Sequence, residues 1–454
     1  MARLFGTDGV RGLANGDVLT PELALRVAAA AARHLLREPL AHGARPVVVI
    51  GRDTRPSGPM LEGAALAGFT AVGCDVVLLG VVPTPAVAYE TQRRAALGLM
   101  VSASHNPVGD NGLKLFAAGG TKLEDADEDA IEALLAQPLS GLSGVDLGTD
   151  VTEAYRIARR DYLPTGADQT YVEHLLTTVG SLTGLHVVVD GAQGAASVLA
   201  PEVYRAAGAR VTTVHCEGNG WEINDGCGAT HPESLAAAVV EHGADLGIAH
   251  DGDADRCLAV DASGAIVDGD QILAMCALLM RDGGQLKDDT VVATVMSNLG
   301  FHHAMRDAGI HVVTTAVGDR YVLEALREAG YSLGGEQSGH VVFTDAATTG
   351  DGLLTAMHVM ARMVDTGKTL AELASVVRRL PQVLVNVKVA DRAAACSSPA
   401  VLQALAAAEA ELGDDGRILL RPSGTEQVVR VMVEAPTQDQ ADALAHRVAA
   451  AASS

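Results

Sequence analysis

The sequence predicts an α/β protein: three similar α/β units in succession, followed by a smaller α+β unit. Two observations carry this. Short valine-rich runs bounded by Gly recur along the chain, and Ala/Leu-rich stretches of helical spacing lie between them. The chain has 454 residues, and at about 100–200 residues per domain that gives room for three or four domains. Hydrophobic residues make up 48% and aromatics only 3%, so sizeable cores are expected, built from Ala, Val and Leu.

In chain order, Pro21–Leu36 reads as an amphipathic helix, with Thr20 as its cap and Pro21 at the first helical position. Pro46–Ile50 is a buried strand meeting the polar loop Gly51-Arg52-Asp53-Thr54-Arg55. Asp75–Leu79 is the next strand, and Ala96–Val101 runs straight into Ser102-Ala103-Ser104-His105-Asn106-Pro107. Strand, helix and strand joined by short loops predict parallel pairing. The plan repeats where His186–Val189 enters Asp190-Gly191-Ala192-Gln193-Gly194 and where Ala244–His250 enters Asp251-Gly252-Asp253-Ala254-Asp255-Arg256. Thr290–Thr294 and His311–Thr315 continue it. After about Leu380 the texture changes: Val383–Val389 and Val428–Val433 read as strands and Thr437–Ala450 as a closing helix. The expected domains are 1–155, 156–257, 258–375 and 376–454, with Gly141–Gly148 a loop. In such sheets ligands bind beyond the carboxyl ends of the strands, where the polar loops lie.

The net charge of −23, from 33 basic and 56 acidic residues, disfavours a protein that coats nucleic acid. It does not exclude a small anionic substrate, since a few clustered Arg and Lys make a locally positive cleft. The six cysteines contain no Cys-x-x-Cys pair and read as reduced, partly buried thiols. His231 lies near Cys227, but the wider ligand set for zinc is missing. The N-terminus has no apolar h-region, and no run of about 18 residues is free of charge and Pro, so no membrane segment is expected. Gly367-Lys368-Thr369 is not a P-loop, because Arg362 stands where the earlier Gly is needed. Gly191-x-x-Gly194 lacks the dinucleotide fingerprint.

Four loops could carry chemistry, and each has a plainer reading. Asp251, Asp253 and Asp255 alternate along an extended segment, so their carboxylates project to one side. They repel unless a cation lies between them, and hard oxygens suit Mg2+ or Ca2+; the alternative is a solvated acidic turn. An EF-hand fits worse, with Arg256 and Ala262 at its Gly and Glu positions. In Ser102–Pro107 a serine on a tight loop could meet a ligand. His105 follows Ser104 directly, and such neighbours rarely pair as base and nucleophile, so the alternative is an ordinary turn. Gly334-Gly335-Glu336-Gln337-Ser338-Gly339-His340 could bracket sugar hydroxyls or be a polar turn. Arg421-Pro422-Ser423-Gly424-Thr425-Glu426 offers donors for a phosphate or is a hairpin turn.

Taken together and in this order, the four loops resemble those of the α-D-phosphohexomutase superfamily over essentially the whole chain, as does Phe5-Gly6-Thr7-Asp8-Gly9-Val10-Arg11-Gly12. Gln337, Met296-Ser297-Asn298-Leu299-Gly300 and Val317-Gly318-Asp319-Arg320-Tyr321-Val322 look like its amino-sugar branch. The resemblance implies mixed sheets in three similar α/β domains plus the smaller fourth, around a central cleft. It implies interconversion of glucosamine 6-phosphate and glucosamine 1-phosphate through glucosamine 1,6-bisphosphate, feeding UDP-N-acetylglucosamine and cell-wall synthesis. Phosphomannomutase/phosphoglucomutase activity is the alternative.

By the same resemblance, phosphorylated Ser104 carries the phosphoryl group, and Mg2+ is held by Ser104, Asp251, Asp253 and Asp255. Arg11 and Arg256 neutralise the transferring group, while Lys114 and His340 transfer protons. Glu336 and Ser338 read sugar hydroxyls, and Arg421, Ser423, Gly424 and Thr425 hold the non-reacting phosphate. The implied partner is a sugar phosphate, with no nucleic acid or membrane, in the cytoplasm; oligomeric state stays open, a homodimer being one option. Ala254 stands where the family commonly has Gly, and Gln427 where Pro is common. Ala is comfortable there only at negative φ, so a loop little changed is expected.

Overall fold

The computed structural model describes residues 3–6, 8–136, 160–162, 167–422 and 427–453. They fall into two compact units, residues 1–295 with 313–374 and residues 296–312 with 375–454.

The first unit holds three sheets. In the first, the strand order is Val10–Leu13, Asp110–Phe116, Leu97–Val101, Val47–Arg52, Asp75–Val81, Arg160–Tyr162. The last four pair in parallel, as the strand–helix–strand pattern predicts. Asp110–Phe116 returns antiparallel to Leu97–Val101 and then pairs antiparallel with Val10–Leu13. The second sheet repeats the plan: Leu246–His250 is parallel to His186–Asp190, and Cys257–Asp261 returns antiparallel beside it. In the third, Leu333–Gly335 is parallel to Thr290–Thr294, and Val341–Phe343 returns antiparallel. The sheets are therefore mixed. Each of the three candidate loops in this unit is the turn between a parallel strand and its antiparallel return strand. Such a turn reverses the chain within a few residues at the carboxyl edge of the sheet, so its polar side chains are presented there.

Local signals account for the flanking helices. Helix Pro21–Leu35 starts at Thr20, whose hydroxyl accepts from Leu23 N at 3.1 Å, and it buries Ala24 and Val27–Ala32. The cores are made mainly of Ala, Val and Leu, as the scarcity of aromatics predicts. Helix Gly352–Thr366 ends at Gly367, whose φ of 65° is a left-handed C-cap; Gly367-Lys368-Thr369 is thus a helix terminus.

The second unit is an antiparallel sheet in the order Gln382–Lys388, Val428–Glu434, Arg417–Pro422, with helices Pro399–Leu412 and Gln438–Ala452 around a Val/Leu/Ala core. Asn298 ties the 296–312 segment into it: its side chain accepts from Leu380 N at 2.9 Å and donates to Leu380 O at 3.0 Å. The Gly141–Gly148 loop, Thr7, and Ser423, Gly424 and Thr425 lie outside the described residues.

Candidate active site

Ser104 follows the strand Leu97–Val101 and takes a left-handed φ of 52°, a conformation a non-glycine residue keeps only when its surroundings hold it. They do. Its N–H donates to Ser102 Oγ at 2.9 Å, and Ser102 donates to Asp53 Oδ2 at 2.6 Å. Its carbonyl accepts from Arg55 at 2.9 Å and from Asn224 Nδ2 at 2.9 Å. Arg55 is fully buried, pairs with Asp53 at 2.9 Å, and also donates to the carbonyls of Asn106 (2.8 Å), Pro107 and Asp110 (2.9 Å). One guanidinium thus holds the whole loop. The sequence shows Gly51–Arg55 only as a polar loop, and nothing in its spacing announces the clamp.

The clamp turns the Ser104 hydroxyl to Asp251 Oδ2, to which it donates at 2.6 Å. His105 Nδ1 lies 3.3 Å from the same hydroxyl, so the two neighbours do come into contact, because the left-handed φ turns adjacent side chains to one side. Burial, then the Arg256 and Arg11 charges, lowers His105 to about 4, leaving a neutral imidazole that is a poor base.

Asp251, Asp253 and Asp255 are buried, and one oxygen of each lies within 4.8 Å of the others. Burial, then repulsion from Asp255 and Asp253, raises Asp251. Burial opposes ionisation of Asp253 too, but Lys114 at 2.7 Å and the Thr84 hydroxyl at 2.6 Å hold it well below the usual carboxylate range. Asp253 Oδ1 and Asp255 Oδ1 are buried and form no hydrogen bond among the described residues. Leaving two carboxylate oxygens so is costly unless a cation meets them, and an all-oxygen set fits a hard divalent ion.

Ala254 has φ 58°, which overturns the expectation of negative φ: the loop keeps the conformation that glycine would take, and Ala bears the strain. Gly252 has a separate reason. A Cβ there would lie 2.5 Å from the Ser104 carbonyl oxygen, so the serine and aspartate loops approach as closely as they do only with Gly.

Lys114, in the return strand Asp110–Phe116, is 2% exposed. Its ammonium meets Asp253, Asp8 at 2.8 Å and Asp255 at 3.5 Å. Burial favours the neutral amine, but these three carboxylates outweigh it and raise the group. These carboxylates favour the ammonium form of Lys114. Asp8 also binds Arg11 and Lys122, and Lys122 continues to Asp319. His340 Nε2 lies 3.6 Å from Asp319 Oδ2; both its ring nitrogens are buried without a hydrogen bond among the described residues. Arg11 Nε and Arg256 Nε are likewise buried without a hydrogen bond. Glu336 accepts from Gly318 N at 3.2 Å, and Ser338 lies 3.5 Å from its other oxygen. Gln337 is turned away to Asp270 at 3.2 Å.

In the second unit, Arg421 is paired across the sheet with Arg430. Paired residues share a face, and burial, then the Arg430 charge, lowers Arg421. Two adjacent guanidiniums concentrate positive charge suited to a phosphate. Arg430 had no signal in the sequence beyond a lone charge in a strand.

Phosphoglucomutase/phosphomannomutase family models match throughout: α/β/α domain I at residues 2–140, domain II at 169–264, domain III at 268–380 and the C-terminal domain at 384–451. The chain is 60% identical to the phosphoglucosamine mutase of Frankia casuarinae, over 99% of this chain and 98% of that one. It is 60% identical to that of Rhodococcus jostii, over 99% of both. A phosphoglucomutase/phosphomannomutase family protein from Burkholderia thailandensis shares the fold with TM-score 0.79 at 24% identity, over 99% and 96% of the two chains. Aspergillus fumigatus N-acetylphosphoglucosamine mutase, solved with GlcNAc-6P and magnesium, does so with TM-score 0.68 at 20% identity, over 99% and 96%. The chain belongs to the phosphoglucomutase/phosphomannomutase family and, within it, to the phosphoglucosamine mutases.

Proposed function

We propose that this chain interconverts glucosamine 6-phosphate and glucosamine 1-phosphate through a phosphoserine at Ser104 and a bound glucosamine 1,6-bisphosphate. The observation that carries the reading is the 2.6 Å contact from the Ser104 hydroxyl to Asp251, beside two buried carboxylate oxygens that form no hydrogen bond among the described residues. Phosphoryl transfer demands positioning and charge neutralisation more than covalent activation. Ser104, Asp251, Asp253 and Asp255 would hold Mg2+, which supplies Lewis-acid neutralisation of the transferring group when bound.

The protein's own residues do the rest. The Arg55 clamp aims Ser104. Lys114, as an ammonium, and Arg11 and Arg256 neutralise phosphoryl oxygens. His340 takes the proton of the attacking sugar hydroxyl, with Asp319 and Lys122 behind it. The phosphoryl group leaves Ser104 Oγ for that hydroxyl oxygen, and Ser104 Oγ takes up a proton in the same step; when Ser104 accepts the second phosphoryl group it gives up that proton, and the sugar oxygen set free is protonated in turn by His340. Glu336 and Ser338 orient sugar hydroxyls, and Arg421, with Ser423, Gly424 and Thr425, binds the phosphate that is not reacting. The domain limits 1–155, 156–257, 258–375 and 376–454 are retained as part of this reading. No helix among the described residues is long and apolar enough to cross a membrane, and we place the reaction in the cytoplasm.

The test is turnover on glucosamine 6-phosphate against glucose 1-phosphate and mannose 1-phosphate, with intact mass before and after bisphosphate treatment. Preference for the amino sugar and a single phosphate mapped to Ser104 support the reading. Preference for glucose or mannose phosphates favours phosphomannomutase/phosphoglucomutase activity instead. Phosphate on Ser102, or full turnover in Ser104→Ala, overturns it.

A further inference from the structure

Asp190 closes the strand His186–Asp190, and His215 follows the parallel strand Arg210–Val214. Pairing of Asp190 with Val214 brings both to one sheet edge. Cys227 returns to that edge on the next loop, where Gly228 N donates to Asp190 Oδ2 at 2.9 Å. One ligand atom from each of the three lies within 4.8 Å of the others, and His215 Nδ1 is 3.1 Å from Asp190 Oδ2. Asp190 and Cys227 are buried, while the His215 side chain is 33% exposed. None of the three takes part in the chemistry proposed above. A thiol, an imidazole and a carboxylate with one open position make a characteristic donor set for zinc, whereas the all-oxygen triad suits a hard ion. Spacing in the chain hides the set, because the ligands come from three separate segments.

The same edge is wired to the serine loop. Asp190 Oδ1 accepts from Ala192 N at 2.9 Å, Ala192 O accepts from Asn224 N at 3.0 Å, and Asn224 Nδ2 donates to the Ser104 carbonyl at 2.9 Å. Asn224 stands three residues before Cys227, whose thiol donates to Glu222 O at 3.8 Å. Bond lengths of about 2.0–2.3 Å in a tetrahedral shell set ligand atoms roughly 3.3–3.8 Å apart. Ligation therefore draws the Cys227 loop inward by up to about an ångström and removes the thiol's bond to Glu222. A shift of that size at a reacting group lowers rates by up to about 100-fold.

We propose that Asp190, His215 and Cys227 form a second cation site, for Zn2+ or an ion of similar softness, and that filling it slows phosphoryl transfer at Ser104 through Asn224. The second half rests on the function proposed above; the first does not. Burial pushes the Cys227 thiol up to about 12, so binding is accompanied by proton release.

The experiment titrates the full-length, Mg2+-loaded protein with Co2+ under reducing conditions and follows the thiolate-to-cobalt charge-transfer band. The oxygen-only triad cannot produce that band. We expect it to saturate at one cobalt per chain, to vanish in Cys227→Ser, to weaken in His215→Asn, and to persist in Cys216→Ser. No band in the wild type, or a band that survives Cys227→Ser, overturns the site. His215→Asn, at a partly exposed position, decides the matter if Cys227→Ser does not fold: an unchanged band in it also overturns the site. In parallel, Zn2+ added at fixed Mg2+ should lower turnover several-fold in the wild type and leave Cys227→Ser or His215→Asn little affected. A band with no effect of Zn2+ on turnover overturns the coupling. A different sugar preference would sink the proposed function while leaving the cobalt band in place.

Discussion

Replacing Arg55 by methionine removes a side chain that ties the serine loop together from Ser104 to Asp110. Its guanidinium is completely buried and donates to Asp53 and to the carbonyls of Ser104, Asn106, Pro107 and Asp110. Methionine fills much of the volume, so the loss is chiefly polar. Breaking a buried ion pair by removing one partner costs about 3–5 kcal/mol, because the remaining charge stays buried and uncompensated. Burial already raises Asp53, with Arg55 the main opposing charge, and without it Asp53 will be protonated at higher pH still. Asp53→Asn on the Arg55→Met background should therefore restore part of the loss, with a coupling of about 1–3 kcal/mol.

The catalytic effect is separable. Asn224 still holds the Ser104 carbonyl and, at 3.2 Å, that of Asn106, but the carbonyls of Pro107 and Asp110 lose the guanidinium, and a misplacement of about 1 Å at the nucleophile lowers the rate by about 100-fold. Urea unfolding at neutral pH and the rate of Ser104 phosphorylation by a hexose 1,6-bisphosphate measure the two effects. Restoring stability through Asp53→Asn should not restore the rate. If the single variant loses stability while phosphorylation proceeds at the wild-type rate, Arg55 only stabilises the fold and its positioning role is wrong. A loss below about 1 kcal/mol would refute the ion-pair reasoning as well.

Three further outcomes follow from the geometry. Asp253→Asn removes the carboxylate shared by Lys114 and Thr84 and an oxygen available to a cation. Turnover should fall by about 100-fold or more, with added Mg2+ recovering it in part; unchanged turnover after exhaustive chelation of the wild type would contradict the metal assignment. Ala254→Gly should raise stability by about 0.5–1 kcal/mol, since relief of left-handed strain exceeds the added chain entropy of glycine; a lower melting temperature would count against this. His358, stacked on Phe343 at 4.6 Å, is lowered by burial to about 4 against an ordinary 6.5. The unfolded chain then takes up its proton first on acidification. Stability from this group is fully present above pH 6.5 and is lost as pH falls to about 4, by about 3 kcal/mol. The pH slope of unfolding in His358→Leu should be correspondingly shallower, and an equal slope would exclude the assignment.

Much of this protein can be read from the order of its residues. Apolar runs such as Val47–Ile50 and Thr290–Thr294 became strands, and Thr20 capped its helix, because local periodicity and capping act over a few residues. The loops of Ser104, Asp251 and Glu336 could be placed at strand ends for the same reason. The antiparallel return strands were not legible: Asp110–Phe116 and Cys257–Asp261 owe their direction to partners already in the sheet. Nor were the ties between loops. Arg55 sits 49 residues from Ser104, Asn224 120 residues, and Asp251 147 residues, and a charge buried at such a distance leaves no periodicity in the chain. Ala254 marks the boundary most clearly. Its alanine side chain suggested a negative φ, whereas the loop, with Gly252 packed against the Ser104 carbonyl, holds it in the left-handed region. Local sequence chose the elements and the chemical types in each loop; tertiary packing decided which charges are buried together, and hence which of them remain available for a cation or a phosphate.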